Sequence, residues 1–258
     1  MKIEQVAAQL YTLRDHIKTP PDIAATLKRV RDIGYQAVQV SAMGPIEESE
    51  LAKILDGEGL VCCVTHEPAD TFLNEPQKVV ERLSKLGVKH TAYPHPRGVN
   101  LASEEEVKAL AKKLNESGKI FKDAAQQLSY HNHAVEFTHA GGKPALEIIY
   151  DETDPELLMS ELDTYWVQAG GASPVDWCIK LKNRLPLLHL KDFGVFGDNK
   201  GVMCEIGRGN IDWKKLIAAA QDSGCEWFIV EQDSNWINND PFESLEVSFN
   251  YIKDNLCS

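Results

Sequence analysis

The chain has 258 residues, of which 43% are hydrophobic and 26% are charged, and its formal net charge is −12. This composition is typical of a folded globular protein and excludes a disordered one, and the length is close to what eight strand-plus-helix units need. The negative charge, with no dense run of lysine and arginine, argues against nucleic acid and anionic membranes as partners.

Short apolar segments rich in β-branched or aromatic residues recur along the chain, and a segment with helical periodicity follows each of them. This alternation is typical of parallel βαβ units. Eight segments are predicted to be strands: Glu4–Leu10, Ala37–Ser41, Val61–Thr65, His90–Tyr93, Leu128–His133, Leu157–Leu162, Leu187–Lys191 and Trp227–Glu231.

The segments between these strands are predicted to be helices: Pro21–Ile33, Glu47–Asp56, Glu75–Leu86, a long helix from Ser103 towards Gln127, Pro144–Tyr150, Pro174–Lys182, Trp213–Asp222 and Pro241–Asp254. The first three end at or near Gly34, Gly57 and Gly87, as helices often end at glycine. Ser103 and Glu106 have the spacing of a capping box. Gly118 makes a break within the long helix an alternative.

Eight parallel strands joined by helices close most simply into a (β/α)8 TIM barrel. An open, doubly wound sheet is the alternative. No GxGxxG or GxxxxGK[ST] motif follows the first predicted strand, so the usual reason to choose the open sheet is missing. No linker divides the chain, and we expect one barrel domain over residues 1–258.

The N-terminal segment and the cysteines are typical of a cytoplasmic protein. MKIEQVAAQLYTLRD lacks the apolar core of a signal peptide, and no stretch of about 18 apolar residues occurs. The six cysteines form no CxxC pair, so we expect reduced thiols. We therefore predict a cytoplasmic protein without a membrane partner.

Ionisable residues collect at the predicted C-terminal strand ends, where TIM barrels form their active sites. Asp163 ends the run LLMSELD and Glu231 ends WFIVE. Six of the eight histidines fall at or just after strand ends: His66, His95, His131, His133, His139 and His189. Because imidazoles and carboxylates together bind ions such as Mn²⁺, Co²⁺ or Zn²⁺, we predict a metal site at the mouth of the barrel.

Several other residues are candidates for contacts in the same pocket. His131 and His133 are two residues apart in a strand and so point to one face, although one of them could instead be a core histidine. His66 is a candidate to bind the substrate. Trp166 is a candidate to stack on a sugar ring, with ordinary packing as the alternative. Arg208 is a candidate to hold an anionic or hydroxyl group, with solvent exposure as the alternative.

The motifs HNHAVEF, ELDTYWVQAGG, LLHLKD, GRGNIDW and IVEQD, in this order, resemble those of the sugar phosphate isomerase/epimerase family. These are the xylose isomerase-like TIM barrels, which also include inosose dehydratases. QLYTLRD and VTHEP in the first half fit the same family. The resemblance implies one divalent metal ion (Mn, Co, Zn or Mg) held by Glu, Asp, His and Glu from the last four strands. Asp163, His189 and Glu231 fall on three of these positions.

The first ligand position departs from the family pattern. Where many members have a glutamate at the end of the fifth strand, this chain has His131, and Glu136 follows shortly afterwards. Either the imidazole of His131 replaces the carboxylate, or the chain bends so that Glu136 reaches the ion. Glu136 is the slightly preferred ligand, with His131 and His133 as acid/base or substrate-binding groups.

The resemblance implies a small carbohydrate substrate and proton abstraction next to a carbonyl through a metal-stabilised enediolate. Glu231 is predicted to transfer the proton on one face, and its partner is His133, His131 or Glu136. Lys191 is predicted to protonate a leaving hydroxyl or to hold a substrate oxygen. The predicted activity is isomerase or epimerase. The alternatives are a dehydratase of an inosose or keto-sugar and a non-catalytic sugar-binding barrel. Since family members are often dimers or tetramers, a homo-oligomer is also implied.

Overall fold

In the computed structural model, which describes residues 1–257, eight parallel strands pair side by side and close into a barrel. The closing contact joins the first strand to the last, with Ala7 opposite Ile229. The strands are β1 (Val6–Gln9), β2 (Ala37–Val40), β3 (Val61–His66), β4 (His90–Tyr93), β5 (Gln127–His131), β6 (Met159–Asp163), β7 (Leu187–Leu190) and β8 (Trp227–Val230). The predicted TIM barrel is confirmed and the open sheet is excluded.

Ten α-helices accompany the strands within the described residues: α1 (Pro20–Ile33), α2 (Glu48–Glu58), α3 (Ala69–Asn74), α4 (Pro76–Leu86), α5 (Glu104–Asp123), α6 (Ala145–Asp151), α7 (Thr164–Ala169), α8 (Pro174–Lys180), α9 (Trp213–Asp222) and α10 (Pro241–Asn255). Each predicted helix is present to within a few residues. The short helices α3 and α7 were not predicted. None of the helices in residues 1–257 has the length and apolarity needed to cross a bilayer.

Two glycines in the predicted helices act differently from expectation. Helix α2 continues past Gly57 and ends before Gly59, which has a left-handed φ of 64°. Gly118 does not break α5, which runs without interruption. A Cβ at Gly118 would lie 2.3 Å from the carbonyl oxygen of Leu157. Glycine at this position therefore lets α5 approach the segment before β6, which a side chain would prevent.

Two antiparallel hairpins that were not predicted follow barrel strands. The first pairs His139–Ala140 with Lys143–Pro144 after β5. The second pairs Asp192–Val195 with Gly201–Cys204 after β7. Because both follow the C-terminal ends of strands, they belong to the loop side of the barrel, where TIM barrels bind their ligands.

The interior of the barrel changes from apolar to ionisable along its axis. A buried apolar cluster fills the end away from the loops: Ala7, Ala37, Cys63, Val64, Leu187 and Ile229. Every second residue of a strand points to the same face. The inward face that begins with Leu187 therefore continues with His189 and Lys191, and the one that begins with Ile229 continues with Glu231. The polar ends of these inward faces meet at the mouth.

Candidate functional site

The mouth of the barrel contains a cavity of about 510 Å³. Six of the residues predicted for the site line it: His66, His131, His133, Trp166, Lys191 and Glu231. Two more, Asp163 and His189, are fully buried in contact with Lys191 and Glu231. The strand ends named from the sequence therefore do meet in one place.

Four ligand atoms from the ends of β5 to β8 converge at this cavity. One atom from each residue of the set lies within 4.8 Å of the others: His131, Asp163, His189 and Glu231. All four side chains are buried. Two imidazoles and two carboxylates form a donor set that suits a borderline divalent ion.

The two oxygens of Asp163 have different contacts. Asp163 Oδ1 accepts a hydrogen bond from the backbone N–H of Trp166 at 3.0 Å and so caps α7. Asp163 Oδ2 makes no aligned hydrogen bond and lies 3.1 Å from Lys191 Nζ. A buried carboxylate oxygen costs free energy unless a cation compensates it, and the Lys191 ammonium is the cation nearest to Oδ2.

Lys191 is surrounded by carboxylates. Its Nζ lies 2.8 Å from Glu231 Oε2, 3.0 Å from Asp233 Oδ2 and 3.1 Å from Asp163 Oδ2. Burial lowers the pKa of the ammonium, but the attraction of these carboxylates is stronger and raises the pKa well above its usual value. Lys191 therefore carries a positive charge at neutral pH.

Asp233 is a lining residue that was missed in the sequence. Burial, together with the nearby charge of Glu231, raises the pKa of its carboxyl to about 6. Asp233 stands two residues after Glu231 in IVEQD, and this spacing could have indicated that both carboxylates face the cavity.

His189 makes hydrogen-bond contacts through both ring nitrogens. Nδ1 lies 2.8 Å from Glu231 Oε2, and Nε2 lies 2.7 Å from Gln39 Oε1. Burial lowers the pKa of the imidazole, but Glu161 and Glu231 together raise it to about 10. The ring is therefore cationic in the metal-free protein, and a metal ion at Nδ1 would displace a proton.

Glu161, which was not predicted, lies below the cavity. His66 Nε2 is 2.5 Å from Glu161 Oε2. His131 Nδ1 is 3.1 Å from the same oxygen but is not aligned for a hydrogen bond. Burial raises the pKa of Glu161, yet the neighbouring imidazoles of His66 and His189 hold it well below its usual value. Glu161 precedes Asp163 by two residues, so strand alternation was a signal that both carboxylates face inward.

His133 forms one wall of the cavity with neighbouring rings. Its ring centroid lies 5.0 Å from that of His95 and 5.5 Å from that of Trp166. Burial, followed by repulsion from His131 and Lys191, lowers the pKa of His133 to about 2. The imidazole is therefore neutral, and it offers hydrogen-bonding nitrogens beside an aromatic surface.

Glu136 lies outside the group of ligand atoms. Its Oε2 accepts a hydrogen bond from the backbone N–H of His133 at 2.8 Å, and its Oε1 accepts one from the Tyr130 hydroxyl at 3.1 Å. Burial raises its pKa to about 7. The turn Ala134–Phe137 directs this carboxylate back towards the chain, so His131 and not Glu136 lies with Asp163, His189 and Glu231.

Two residues named from the sequence lie away from the cavity. Arg208 lines a neighbouring pocket with Trp236, and its guanidinium lies 3.8 Å from Glu205 Oε2. His139 is exposed on the first hairpin. A substrate contact by Arg208 stays a prediction, since the structure does not place it with the other site residues.

Known proteins resemble this chain in sequence and in fold. The model of the family "xylose isomerase-like TIM barrel" matches residues 27–254. An inosose dehydratase from Clostridium beijerinckii is 26% identical over 167 residues, which cover 59% of this chain and 55% of that protein. The match thus spans about half the length of this curated relative.

Solved structures share the fold at low sequence identity. A sugar phosphate isomerase/epimerase from Parabacteroides distasonis has a TM-score of 0.84 at 23% identity, covering 99% of this chain and 96% of that one. The IOLI protein with a bound zinc atom has a TM-score of 0.72 at 14% identity, covering 97% of each chain. At these identities the likeness shows the barrel architecture.

Proposed function

Since the chain belongs to the xylose isomerase-like TIM barrel family, we propose that it is a metal-dependent isomerase or epimerase of a sugar or sugar-phosphate-like polyol. The observation that carries this proposal is the convergence of four ligand atoms beside the charged Lys191, in a cavity of about 510 Å³. A cavity of this size suits a small carbohydrate.

Four residues are assigned as ligands of one divalent ion: His131, Asp163, His189 and Glu231. When bound, such an ion supplies Lewis-acid polarisation of a substrate carbonyl, which lowers the energy of an enediolate. All four ligands stand at strand ends and are buried, so packing holds them in place before substrate arrives.

Other side chains bind the substrate and move its proton. The Lys191 ammonium stabilises negative charge on a substrate oxygen. The carboxylate of Glu231 accepts the proton from the carbon next to the carbonyl. His133, which comes from the other side of the ligand group, assists proton transfer on that side of the substrate. His66 and Trp166 contact the hydroxyls and the apolar face of the substrate.

A dehydratase is the second candidate, and the position of Lys191 favours it. Loss of a hydroxyl as water is easier when the departing oxygen is hydrogen-bonded, and the charged Nζ of Lys191, which lines the cavity, can donate a hydrogen bond to that oxygen. The match to an inosose dehydratase, over about half of that protein, supports the same reading.

Deuterium exchange tests the proposal and separates the two reactions. The protein would be incubated with Mn²⁺ in D₂O against a panel of ketoses, inososes and 3-keto-sugars, with Asp163→Asn as the matched control. Deuterium in a product with an unchanged carbon skeleton indicates an isomerase or epimerase. A product lighter by one water indicates a dehydratase. An inert panel with metal bound contradicts both and supports a non-catalytic sugar-binding barrel.

A further inference from the structure

A chain of hydrogen bonds connects His189 to a carboxylate below the cavity. His189 Nε2 lies 2.7 Å from Gln39 Oε1, and Gln39 Nε2 donates to Glu161 Oε1 at 2.8 Å. The same Nε2 also lies 3.3 Å from Glu161 Oε2, so both residues present an acceptor to this nitrogen. All three side chains are fully buried, so water does not compete for these bonds. Three strands of the barrel, β2, β6 and β7, contribute one residue each.

The direction of these hydrogen bonds follows from the orientation of the Gln39 amide. Its nitrogen donates to Glu161 Oε1, so its oxygen faces His189. That oxygen only accepts, so His189 carries a proton on Nε2. In the neutral ring the lone pair is then on Nδ1, which lies 2.8 Å from Glu231 Oε2 and 3.8 Å from Asp163 Oδ2.

We propose that Gln39 and Glu161 are positioning residues that set the tautomer of His189, so that Nδ1 is the nitrogen presented to the divalent ion. This inference rests on the proposed metal site. Hydrogen-bond partners of metal-binding imidazoles typically change metal affinity by about 10- to 100-fold when they are removed.

The inner side chains have a second interpretation as a metal site. One ligand atom from each of four residues also lies within 4.8 Å of the others here: His66, His131, Glu161 and His189. Both oxygens of Glu161, however, take part in hydrogen bonds, Oε2 with His66 and Oε1 with Gln39, whereas Asp163 in the other group keeps Oδ2 without an aligned hydrogen bond. We therefore assign this inner group to hydrogen bonding, and we expect one bound ion per chain.

Titration of the metal-free protein with Co²⁺ alone measures affinity without a substrate. Gln39→Leu removes the nearer of the two acceptors at His189 Nε2 without changing any charge, and we expect Co²⁺ to bind about 10- to 100-fold more weakly. Gln39→Met is a second variant of similar length. Gln9→Leu is the matched control, because Gln9 is buried on β1 directly opposite Gln39. Its Co²⁺ affinity should change by less than about threefold.

Exchanging the side chains of Gln39 and Glu161 tests the direction of the hydrogen bonds from His189 to Glu161. Glu161→Gln alone places an amide nitrogen against an imidazole nitrogen or against the amide nitrogen of Gln39, and we expect about 10- to 100-fold weaker Co²⁺ binding. In the double variant Gln39→Glu/Glu161→Gln, a carboxylate at position 39 accepts from His189 and from the amide at position 161. Every donor then faces an acceptor again, so affinity should recover to within about threefold of the wild type.

A spectroscopic signal reports on His189 directly. In the Co²⁺-loaded protein, the Nε2–H proton of an imidazole bound through Nδ1 gives a paramagnetically shifted, solvent-exchangeable NMR signal. We expect this signal to be protected from exchange in the wild type and the double variant, and lost in Gln39→Leu. A role in packing alone would not produce this pattern.

The outcomes separate this inference from the proposed function. Wild-type Co²⁺ affinity in Gln39→Leu and Gln39→Met overturns the inference and leaves the metal site intact. Two Co²⁺ ions per chain, or a folded double variant without recovery, overturn it as well. If the wild type itself binds no Co²⁺, the proposed metal-dependent function fails first.

Discussion

The two ends of the barrel interior share strands but differ in chemistry. At the closed end, apolar side chains such as Leu187 and Ile229 pack together and stabilise the fold by removing apolar surface from water. Two residues further along the same strands, His189 and Glu231 occupy the equivalent inward positions at the mouth. Burying these ionisable groups costs free energy unless they are paired. The stability of the fold therefore depends mainly on the apolar end of the barrel, and the proposed metal binding depends on the mouth. Mutations should be able to change one without the other.

Carboxylates outnumber cations at the mouth. Three carboxylates, those of Asp163, Glu231 and Asp233, lie near two cationic groups, the Lys191 ammonium and the His189 imidazole. A bound divalent cation relieves the repulsion among these carboxylates, which the apolar end of the barrel does not experience. Substitutions in the two layers should consequently differ in what they change.

The largest effect is expected from a ligand at the mouth. Glu231→Ala removes one of the four proposed ligands, and we expect Co²⁺ affinity to fall by about 100- to 1,000-fold, measured by titration calorimetry. Asp163→Ala should behave in the same way. The far-ultraviolet circular dichroism of both variants should stay that of the wild type. Full metal occupancy in both would rule out the proposed ligand set.

A substitution at the apolar end should lower the stability of the fold and leave metal affinity unchanged. Ile229→Ala leaves a cavity in the buried cluster, and we expect the free energy of unfolding to fall by about 3 kcal/mol, measured by urea denaturation. Ile229→Val, as a smaller deletion, should cost about 1 kcal/mol. Metal affinity should stay within about threefold of the wild type in both variants. A large loss of metal affinity would show that the two layers are coupled.

Lys191→Met should separate turnover from metal binding. We expect turnover to fall by about 100-fold, because the charged group that contacts the substrate oxygen is lost. Metal affinity should be unchanged or higher, since the ammonium no longer competes for Asp163 and Glu231. Lys200→Met, at an exposed position of the second hairpin, is the control and should leave both unchanged. An unaltered turnover in Lys191→Met would remove Lys191 from the mechanism.

The smallest expected effect is the increase in the stability of the fold when metal binds. Mn²⁺ at ten times its dissociation constant should stabilise the metal-free protein by about 1.4 kcal/mol, measured as a rise in the thermal midpoint. Asp163→Ala should show no rise at the same concentration. An equal rise in the variant would mean that the ion binds elsewhere.

Features with a local physical cause were readable before the structure was known. Strand and helix periods predicted all eight barrel strands, and the ends of the strands pointed to Asp163, His189 and Glu231. The strand and helix predictions succeed because hydrophobic periodicity and helix capping act between residues close in the chain. The role of Asp163, His189 and Glu231 as metal ligands stays a prediction. At Gly118, the low helix propensity of glycine suggested a break in the helix. Helix α5 nevertheless continues through it, and glycine is needed there because the helix packs closely against Leu157.

Contacts across the barrel were decided by the tertiary structure. Gln39 and Glu161 are 122 residues apart, and their hydrogen bond exists only because β2 and β6 face each other inside the closed barrel. Whether His131 or Glu136 lies beside the other candidate ligands depended on one turn, which points the carboxylate of Glu136 at the backbone N–H of His133. A local pattern shows that a polar residue faces inward, but which partner satisfies it is set by the closure of the sheet and by the paths of the loops.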